Sequence, residues 1–333
     1  MTIAFLINQT HKEEDNCTTS IIAFEALKRG HTVWYIGIAD FFLSTDKMVW
    51  AYARTIAPQA DIDSINAMMG NLLNQQKCLS SLEDIDMLWI RFDPTVEIGR
   101  RPWAPEMGIQ FAERIKKMGK LVINDPEILA IYHNKLYLED FPEAVRPPSI
   151  VTRRFEDVVN FMHIYPEVIL KPVQGSTGKN VFYVDADHIL NLRQTVEVLA
   201  AEGYFIVQKY LPEAREGDVR LYLFDGKPIF VDGACACMKR IPAQDDVRSN
   251  IHQGGRALAV DLTNKYHEII DAVSSKLIRD KMNFVGLDIV GDKLIEININ
   301  CAGGLGKANE VHNVNFAGPI VDYLENRRAM ILK

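Results

Sequence analysis

Near the C-terminal end, two apolar runs meet around Gly291-Asp292, and three oxygen-bearing side chains interrupt them: Phe284-Val-Gly-Leu-Asp-Ile-Val-Gly-Asp-Lys-Leu-Ile-Glu-Ile-Asn-Ile-Asn300. The Gly-Asp pair between β-branched runs predicts a hairpin of two largely buried strands. Side chains two apart in a strand share a face, so Glu296 and Asn298 point the same way, and Asp288 lies on the partner strand. Carboxylates in such strands are costly to bury unless paired or bound to a cation. Two readings follow. The three residues hold a hard divalent ion such as Mg²⁺, which takes oxygen ligands and shares its sphere with nucleotide phosphates, or they form a structural polar network.

The rest of the chain supplies the context. Its 333 residues suggest two domains, or three small ones. The first third alternates strand and helix signals: strands at 3–7, 32–36, 87–91 and 121–124, and helices at 18–28 and 107–118 that stop at Gly30 and Gly119. This alternation predicts a parallel, doubly wound sheet. No G-x-G-x-x-G follows the first strand, so the dinucleotide fingerprint is absent. A seam is expected at Val145-Arg-Pro-Pro148. Beyond it, strands at 149–152, 168–171, 180–184 and 204–210 flank helices at 155–164 and 189–201. From Asp218 onward hairpins dominate, with Asp225-Gly226 as a tight turn, and helices at 266–279 and 317–327 are expected on one side of an antiparallel sheet.

The net charge of -7 excludes a broad basic face for nucleic acid. No apolar run reaches the roughly 20 residues that span a membrane, and the N-terminus lacks the basic start of a signal peptide. Five cysteines without a C-x-x-C argue against a disulfide framework. The expectation is a soluble, cytoplasmic protein. Cys235, Cys237 and Cys301 read as packing residues, and the histidines fit no nucleophile or metal spacing.

Three further segments carry chemistry. Val168-Ile-Leu-Lys-Pro-Val-Gln-Gly-Ser-Thr-Gly-Lys179 delivers Lys171 from an apolar strand into a glycine-rich loop whose N–H groups can approach phosphate oxygens. It is not a P-loop, and read alone it fits a solvated turn as well. The strand at 205–209 runs into a polar connection ending at Asp218 and Arg220; its edge suits an adenine and Asp218 a ribose hydroxyl, unless this is a solvated acidic loop. Arg240, Arg248 and Arg256, with Asn250, form a cationic group around a Gly-rich stretch. Arginine grips carboxylate or phosphate through paired N–H bonds.

The ordered set resembles the ATP-grasp superfamily, and within it bacterial glutathione synthetase. The segments that carry the resemblance are Asn134-Lys-Leu136, Ile169-Leu-Lys-Pro172, Gln208-Lys-Tyr-Leu-Pro212, Gly217-Asp-Val-Arg220, Lys239-Arg-Ile-Pro242, Arg248-Ser-Asn250, Gly254-Gly-Arg256, Gly286-Leu-Asp-Ile289 and Glu296-Ile-Asn298. Arg91-Phe-Asp-Pro94 and Val122-Ile-Asn-Asp-Pro126 add weaker likeness near the N-terminus.

The resemblance implies an N-terminal pre-ATP-grasp domain with a doubly wound parallel sheet (1–125) and a two-lobed α+β ATP-grasp domain (126–333). The latter would comprise a lid lobe at about 147–210 and a C-terminal lobe at about 211–333. It further implies an ATP-dependent carboxylate–amine ligase that works through an acyl phosphate on small-molecule substrates and assembles as a homo-oligomer. Lys135, Lys171 and a mobile loop of Gly175, Ser176, Thr177 and Gly178 would hold the ATP phosphates. Gln208, Lys209, Tyr210 and Leu211 would surround the adenine, and Asp218 would hold the ribose. Asp288, Glu296 and Asn298 would bind Mg²⁺, with Mn²⁺ as an alternative. Arg220, Arg240, Arg248 and Asn250 would face the reacting groups. Arg91, Asp93, Arg256, Gly303 and Gly304 would contact substrate.

Two departures stand out. The segment Ile7-Asn-Gln-Thr-His-Lys-Glu-Glu-Asp15 differs from those synthetases, and Cys301-Ala302 replaces their usual Ser-Pro. Another peptide or amino-acid ligase of this fold, for example a glutamate-adding one, or a non-catalytic nucleotide binder are the alternative readings.

Overall fold

The computed structural model describes residues 1–58, 62–132, 134–175, 178–242 and 255–331. Ser176, Thr177, Arg248 and Asn250, all expected site residues, lie outside them, as does Gly254 of the glycine-rich stretch.

The N-terminal sheet is built on strands Thr2–Ile7, Thr32–Gly37, Met87–Ile90 and Leu121–Ile123, which pair in parallel. Helix Thr18–Lys28 connects the first two, and Ala104–Lys117 the last two. Both end where expected, since Gly30 and Gly119 take φ near +83°, a conformation open to glycine. The sheet is not wholly parallel. Val49–Ile56, Phe41–Leu43 and Cys78–Ser81 extend it as an antiparallel edge.

A four-stranded antiparallel sheet follows: Ser149–Thr152, Glu167–Pro172, Phe182–Asp185 and Phe205–Lys209. Helices Phe155–Ile164 and Leu192–Glu202 cover it, and the apolar side chains between them form a cluster of their own around Val168, Leu170, Val196 and Phe205.

The C-terminal sheet is antiparallel, with Asp218–Phe224 at its centre between Cys237–Ile241 and Phe284–Val290. Lys293–Asn298 pairs beyond the last of these. The predicted turns hold: Asp225 and Gly226 take φ of 45° and 69°, and Gly291 takes 60°. The two long helices do not share a side of this sheet, as the sequence suggested. Val219, Leu221 and Leu223 cluster with Ile269, Ile270 and Val273 of helix Asn264–Arg279. Tyr222 and Phe224, on the other face, cluster with Ile320, Val321 and Leu324 of helix Ala317–Ile331. Alternation along the central strand gives each helix its own face.

That second face also meets the N-terminal sheet. Trp89 packs against Phe5, Phe224 and Phe284 with ring centroids 5.5–6.1 Å apart. Buried Asn124 fastens the junction. Its amide donates to the Phe284 and Ile299 carbonyls (2.9 and 2.6 Å), and its oxygen accepts from the Phe284 N–H (2.9 Å). The five cysteines are free thiols. Among the described residues no helix is long and apolar enough to cross a membrane.

Candidate active site

A cleft of about 1150 Å³, mouth included, opens between the four-stranded sheet and the C-terminal sheet. The two sheets deliver different chemistry to it. From the central strand of the C-terminal sheet, Asp218, Arg220 and Tyr222 project to one face. Register sets Asp218 opposite Arg240, and Arg220 opposite Asp288. Arg240 donates Nε and Nη2 to the two Asp218 oxygens, both at 2.6 Å. Arg220 donates Nε and Nη2 to Asp288, the latter at 2.9 Å, and Arg240 Nη2 lies 3.0 Å from the same Asp288 oxygen. The result is a buried lattice of two carboxylates and two guanidiniums.

Burial alone would raise the Asp288 carboxyl, but Arg220 and Arg240 overcome it and hold the group well below the usual carboxylate range. Burial opposes the charge on Arg240, and the two aspartates more than offset that penalty. Backbone geometry makes the lattice possible. A Cβ on Gly217, at φ 100°, would sit 2.0 Å from the Arg240 carbonyl oxygen, and one on Gly286 would sit 3.1 Å from Arg220 Cδ. Only glycine lets Asp218 and Arg220 lie this close to their neighbours.

Two lysines line the cleft, Lys171 from the four-stranded sheet and Lys135 from a short helix packed against the C-terminal sheet. Lys171 is buried, and its Nζ donates to Gln208 Oε1 (3.1 Å) and to the Ile295 carbonyl (3.0 Å) across the cleft. Burial pulls this ammonium down to about 8; Glu296 opposes the shift and Lys135 reinforces it. Lys135 follows Asn134, whose side chain caps the short helix Lys135–Asp140 by accepting from the Leu136 N–H at 2.9 Å. Its ammonium donates to the Gly175 carbonyl and lies 3.8 Å from Glu296. Gly175, Gly178, Gln208, Lys209, Tyr210 and Leu211 complete this side. The Gln208 Nε2 is buried without a hydrogen-bond partner among the described residues. The strand edge is less open than the sequence suggested, since the N–H groups of Lys209 and Tyr210 already donate to the Pro148 and Glu167 carbonyls.

Asp288, Glu296 and Asn298 do converge. Glu296 pairs opposite Asp288, and Asn298 Nδ2 reaches Asp288 Oδ2 at 3.4 Å. Among the described residues no three His, Cys, Asp or Glu side chains come together, so the third oxygen donor is the Asn298 amide. The donors are hard oxygens of the kind Mg²⁺ takes, and they fit it. They are not equivalent, however: Asp288 is already enclosed by guanidiniums, whereas Glu296 is part-exposed in the cleft.

The expected substrate residues lie deeper or farther out. Arg91 is buried; it donates Nε to Thr19 Oγ1 (3.2 Å) and Nη2 to the Ala302 carbonyl (3.0 Å), with the Phe284 ring 5.6 Å away. Asp93 caps the turn Pro94–Glu97 and lines a smaller pocket with Lys135, Glu296, Asn298 and Cys301. The Gly303 carbonyl accepts from Arg220 Nη1 (2.9 Å) and Tyr222 Oη (2.6 Å). Gly304 precedes helix Leu305–His312 with φ 96°. Arg256 stands apart, exposed on the edge strand Arg256–Leu258, and does not line the cleft.

Two residues escaped the sequence reading. Tyr222 belongs to the same alternation as Asp218 and Arg220, which was the available signal. Glu13 sits near Arg91 and Thr19, in the connection after the first strand, where doubly wound sheets bind ligands. Burial pushes its carboxyl up to about 7 against the pull of Arg91. Nearby, burial and Glu13 push the Cys17 thiol up to about 12, and burial also raises Cys301, so neither thiol is primed as a nucleophile.

Family comparisons agree with this geometry. Residues 1–129 match the prokaryotic glutathione synthetase N-terminal domain, and residues 134–313 match the prokaryotic glutathione synthetase ATP-grasp domain. Glutathione synthetase from Gloeobacter violaceus is 30% identical over 97% of this chain and 96% of its own length. The enzyme from Brucella melitensis is 29% identical over 93% of this chain and 94% of its own. Among solved structures, the D-cycloserine synthetase DcsG superposes with a TM-score of 0.61 at 14% identity, covering 97% of this chain and all (100%) of that one. The ATP-grasp ligase PsnB, complexed with a phosphomimetic variant of its minimal precursor, Mg and ADP, gives 0.62 at 15% identity, with 98% of each chain covered. These two likenesses concern the fold alone. With both of its family domains present in order, the chain belongs to the prokaryotic glutathione synthetase family and is an ATP-dependent ligase of the ATP-grasp fold.

Proposed function

We propose that this chain joins the cysteinyl carboxylate of gamma-glutamylcysteine to the amine of glycine, converting ATP to ADP and phosphate. The observation that carries the reading is one cleft in which Lys135 and Lys171 face Glu296 and Asn298, with the Arg220–Asp288 pair at its end. That is the cation and oxygen set a metal-bound triphosphate needs beside a reacting carboxylate. A non-catalytic binder has no need of all of them.

In this reading Lys135, Lys171 and the loop of Gly175 and Gly178 hold the phosphates, with Ser176 and Thr177 between. Gln208 offers its unpartnered Nε2 to the adenine, enclosed by Lys209, Tyr210 and Leu211, and Asp218 contacts the ribose. Glu296, the Asn298 amide oxygen and Asp288 hold Mg²⁺, which when bound neutralises phosphate charge and aligns the terminal phosphoryl group. The donor carboxylate takes that phosphoryl group and becomes an acyl phosphate; the amine then attacks the acyl carbon and phosphate leaves. Arg220 stands where charge develops on the acyl oxygen. Of its N–H groups, Nε and one on each terminal nitrogen are committed among the described residues, and the others can stabilise an oxyanion. Arg240, on the neighbouring strand Cys237–Ile241, joins Arg220 beside the reacting groups, and Arg248 and Asn250 are assigned to the same task. Arg91, Asp93, Gly303 and Gly304 bind substrate, and Arg256, exposed outside the cleft, leaves that set. The division into residues 1–125 and 126–333, a cytoplasmic setting and a homo-oligomeric assembly complete the proposal.

The test is phosphate release from Mg-ATP with gamma-glutamylcysteine, with and without glycine, and the product identified by mass. Glycine-dependent release with glutathione formed is expected; silence across a broad set of acids and amines overturns the reading. Glu296→Gln is expected to keep the circular dichroism spectrum and to lose about a hundred- to a thousandfold in turnover, as removal of a transition-state electrostatic contact does. Turnover near that of the unaltered protein would remove Glu296 from the metal site.

A further inference from the structure

A second cavity, about 1290 Å³ with its mouth, lies beside the cleft. Phe92, Ile98, Ile109, Pro102 and Pro105 make most of its lining apolar. Ala130, from helix Pro126–Ile131, and Gln174, at the start of the glycine-rich loop, line it from other elements. Pro94, Thr95 and Asn300 line both this cavity and the pocket that holds Lys135, Glu296 and Asn298. The cavity therefore continues the reacting end of the cleft.

Three observations say what it would take. The Asn300 Oδ1 is buried and has no hydrogen-bond partner among the described residues. A buried carbonyl left so is costly, and a ligand N–H would supply the missing bond. Among the described residues no lysine or arginine lines the cavity; the charged ones that do are Glu106 and Glu113. Carboxylate ends of substrate are drawn instead toward Arg91 and Arg220, neither of which lines this space. Finally, Ile98 of the lining is 49% exposed, an apolar side chain left open to a ligand.

We propose that this cavity is a subsite for the amine acceptor beyond its amino group, suited to an apolar side chain and a neutral N–H donor such as a carboxamide, so that acceptors larger than glycine are joined at the same centre. The inference rests on the ligase reading above. The chemistry is unchanged and balanced: the acceptor nitrogen forms the C–N bond to the acyl phosphate, the C–O bond to phosphate breaks, phosphate leaves with the electron pair, and the surplus ammonium protons pass to solvent.

Leucinamide is the probe, having an apolar side chain, an amide N–H₂ and no carboxylate; glutamate is the anionic counter-probe. Each is compared with glycine in the phosphate-release assay, and leucinamide binding is measured by calorimetry, which needs no turnover. Ala130→Trp and Ile98→Trp fill the cavity from exposed positions on two different elements. The expected result is leucinamide ligation whose KM rises at least tenfold in both variants, with glycine kcat/KM within twofold of the unaltered protein. Glycine ligation without leucinamide ligation or binding overturns the subsite and leaves the ligase reading standing. Glutamate used better than leucinamide, or variants that slow glycine and leucinamide alike, also overturn it. If no amine at all supports phosphate release, the ligase reading fails; leucinamide binding that both variants abolish then supports the cavity by itself, and its absence removes the cavity too.

Discussion

The two walls of the cleft treat buried charge in opposite ways. On the C-terminal sheet, Asp218, Arg220, Arg240 and Asp288 neutralise one another at hydrogen-bond distance. On the four-stranded side, Lys171 is equally buried but is held by an amide oxygen and a backbone carbonyl. Paired charges fix geometry, because removing either partner strands the other in a low-dielectric site. A lysine held by neutral acceptors keeps its charge for a ligand, and pays in a depressed pKa. The first wall is built to position, the second to receive an anion.

The largest test of that contrast is Asp288→Asn. It leaves Arg220 without a carboxylate partner and Arg240 with Asp218 alone. A loss of about 3–5 kcal/mol is expected in urea unfolding, the range for breaking a buried pair. Next comes Lys171→Met, which removes a costly buried ammonium along with its two hydrogen bonds. Stability within about 1 kcal/mol of the unaltered protein is expected, while ATP affinity by calorimetry falls about a hundredfold, near 2.7 kcal/mol. Equal destabilisation by the two substitutions would erase the distinction between the walls.

The smallest test is pH. With its pKa at about 8 instead of 10.5, Lys171 loses its charge between pH 7 and 9, and ATP affinity should weaken about tenfold over that interval. Lys171→Arg should flatten the dependence. Stability moves the other way. From about pH 8 to 10.5 the unfolded chain holds this proton and the folded chain does not, so the Lys171 contribution improves as pH rises and the penalty is constant below about 8. An ATP affinity level from pH 7 to 9 would show that the lysine stays charged and that burial is not setting its pKa.

Much of this was legible because the segments follow simple periods. The four parallel strands, the helix at 18–28, and the Asp225-Gly226 and Gly291-Asp292 turns all declare themselves. The antiparallel edge at 41–56 and 78–81 does not. Its buried positions include the small Ala51 and Ala53, while Phe42, Tyr52 and Leu79 face outward at 44–47% exposure, which inverts the usual signal. The site was legible as a set of residues, but not in its pairing. Spacing shows that Asp288 shares a hairpin with Glu296. It does not show that two arginines reach Asp288 first, since that depends on strand order across the sheet. Glu13 was hidden because its partners, Arg91 and Thr19, are brought to it by the fold and not by spacing along the chain.

The four-stranded sheet keeps its apolar cluster to itself, whereas the other two sheets share theirs. Its ties across the cleft are polar, such as the Lys171 ammonium on the Ile295 carbonyl. Two ammonium groups, those of Lys171 and Lys135, thus stitch one jaw of the cleft to the other with no shared apolar interior between them. A ligand that drew either ammonium away would open a polar seam and unpack no core.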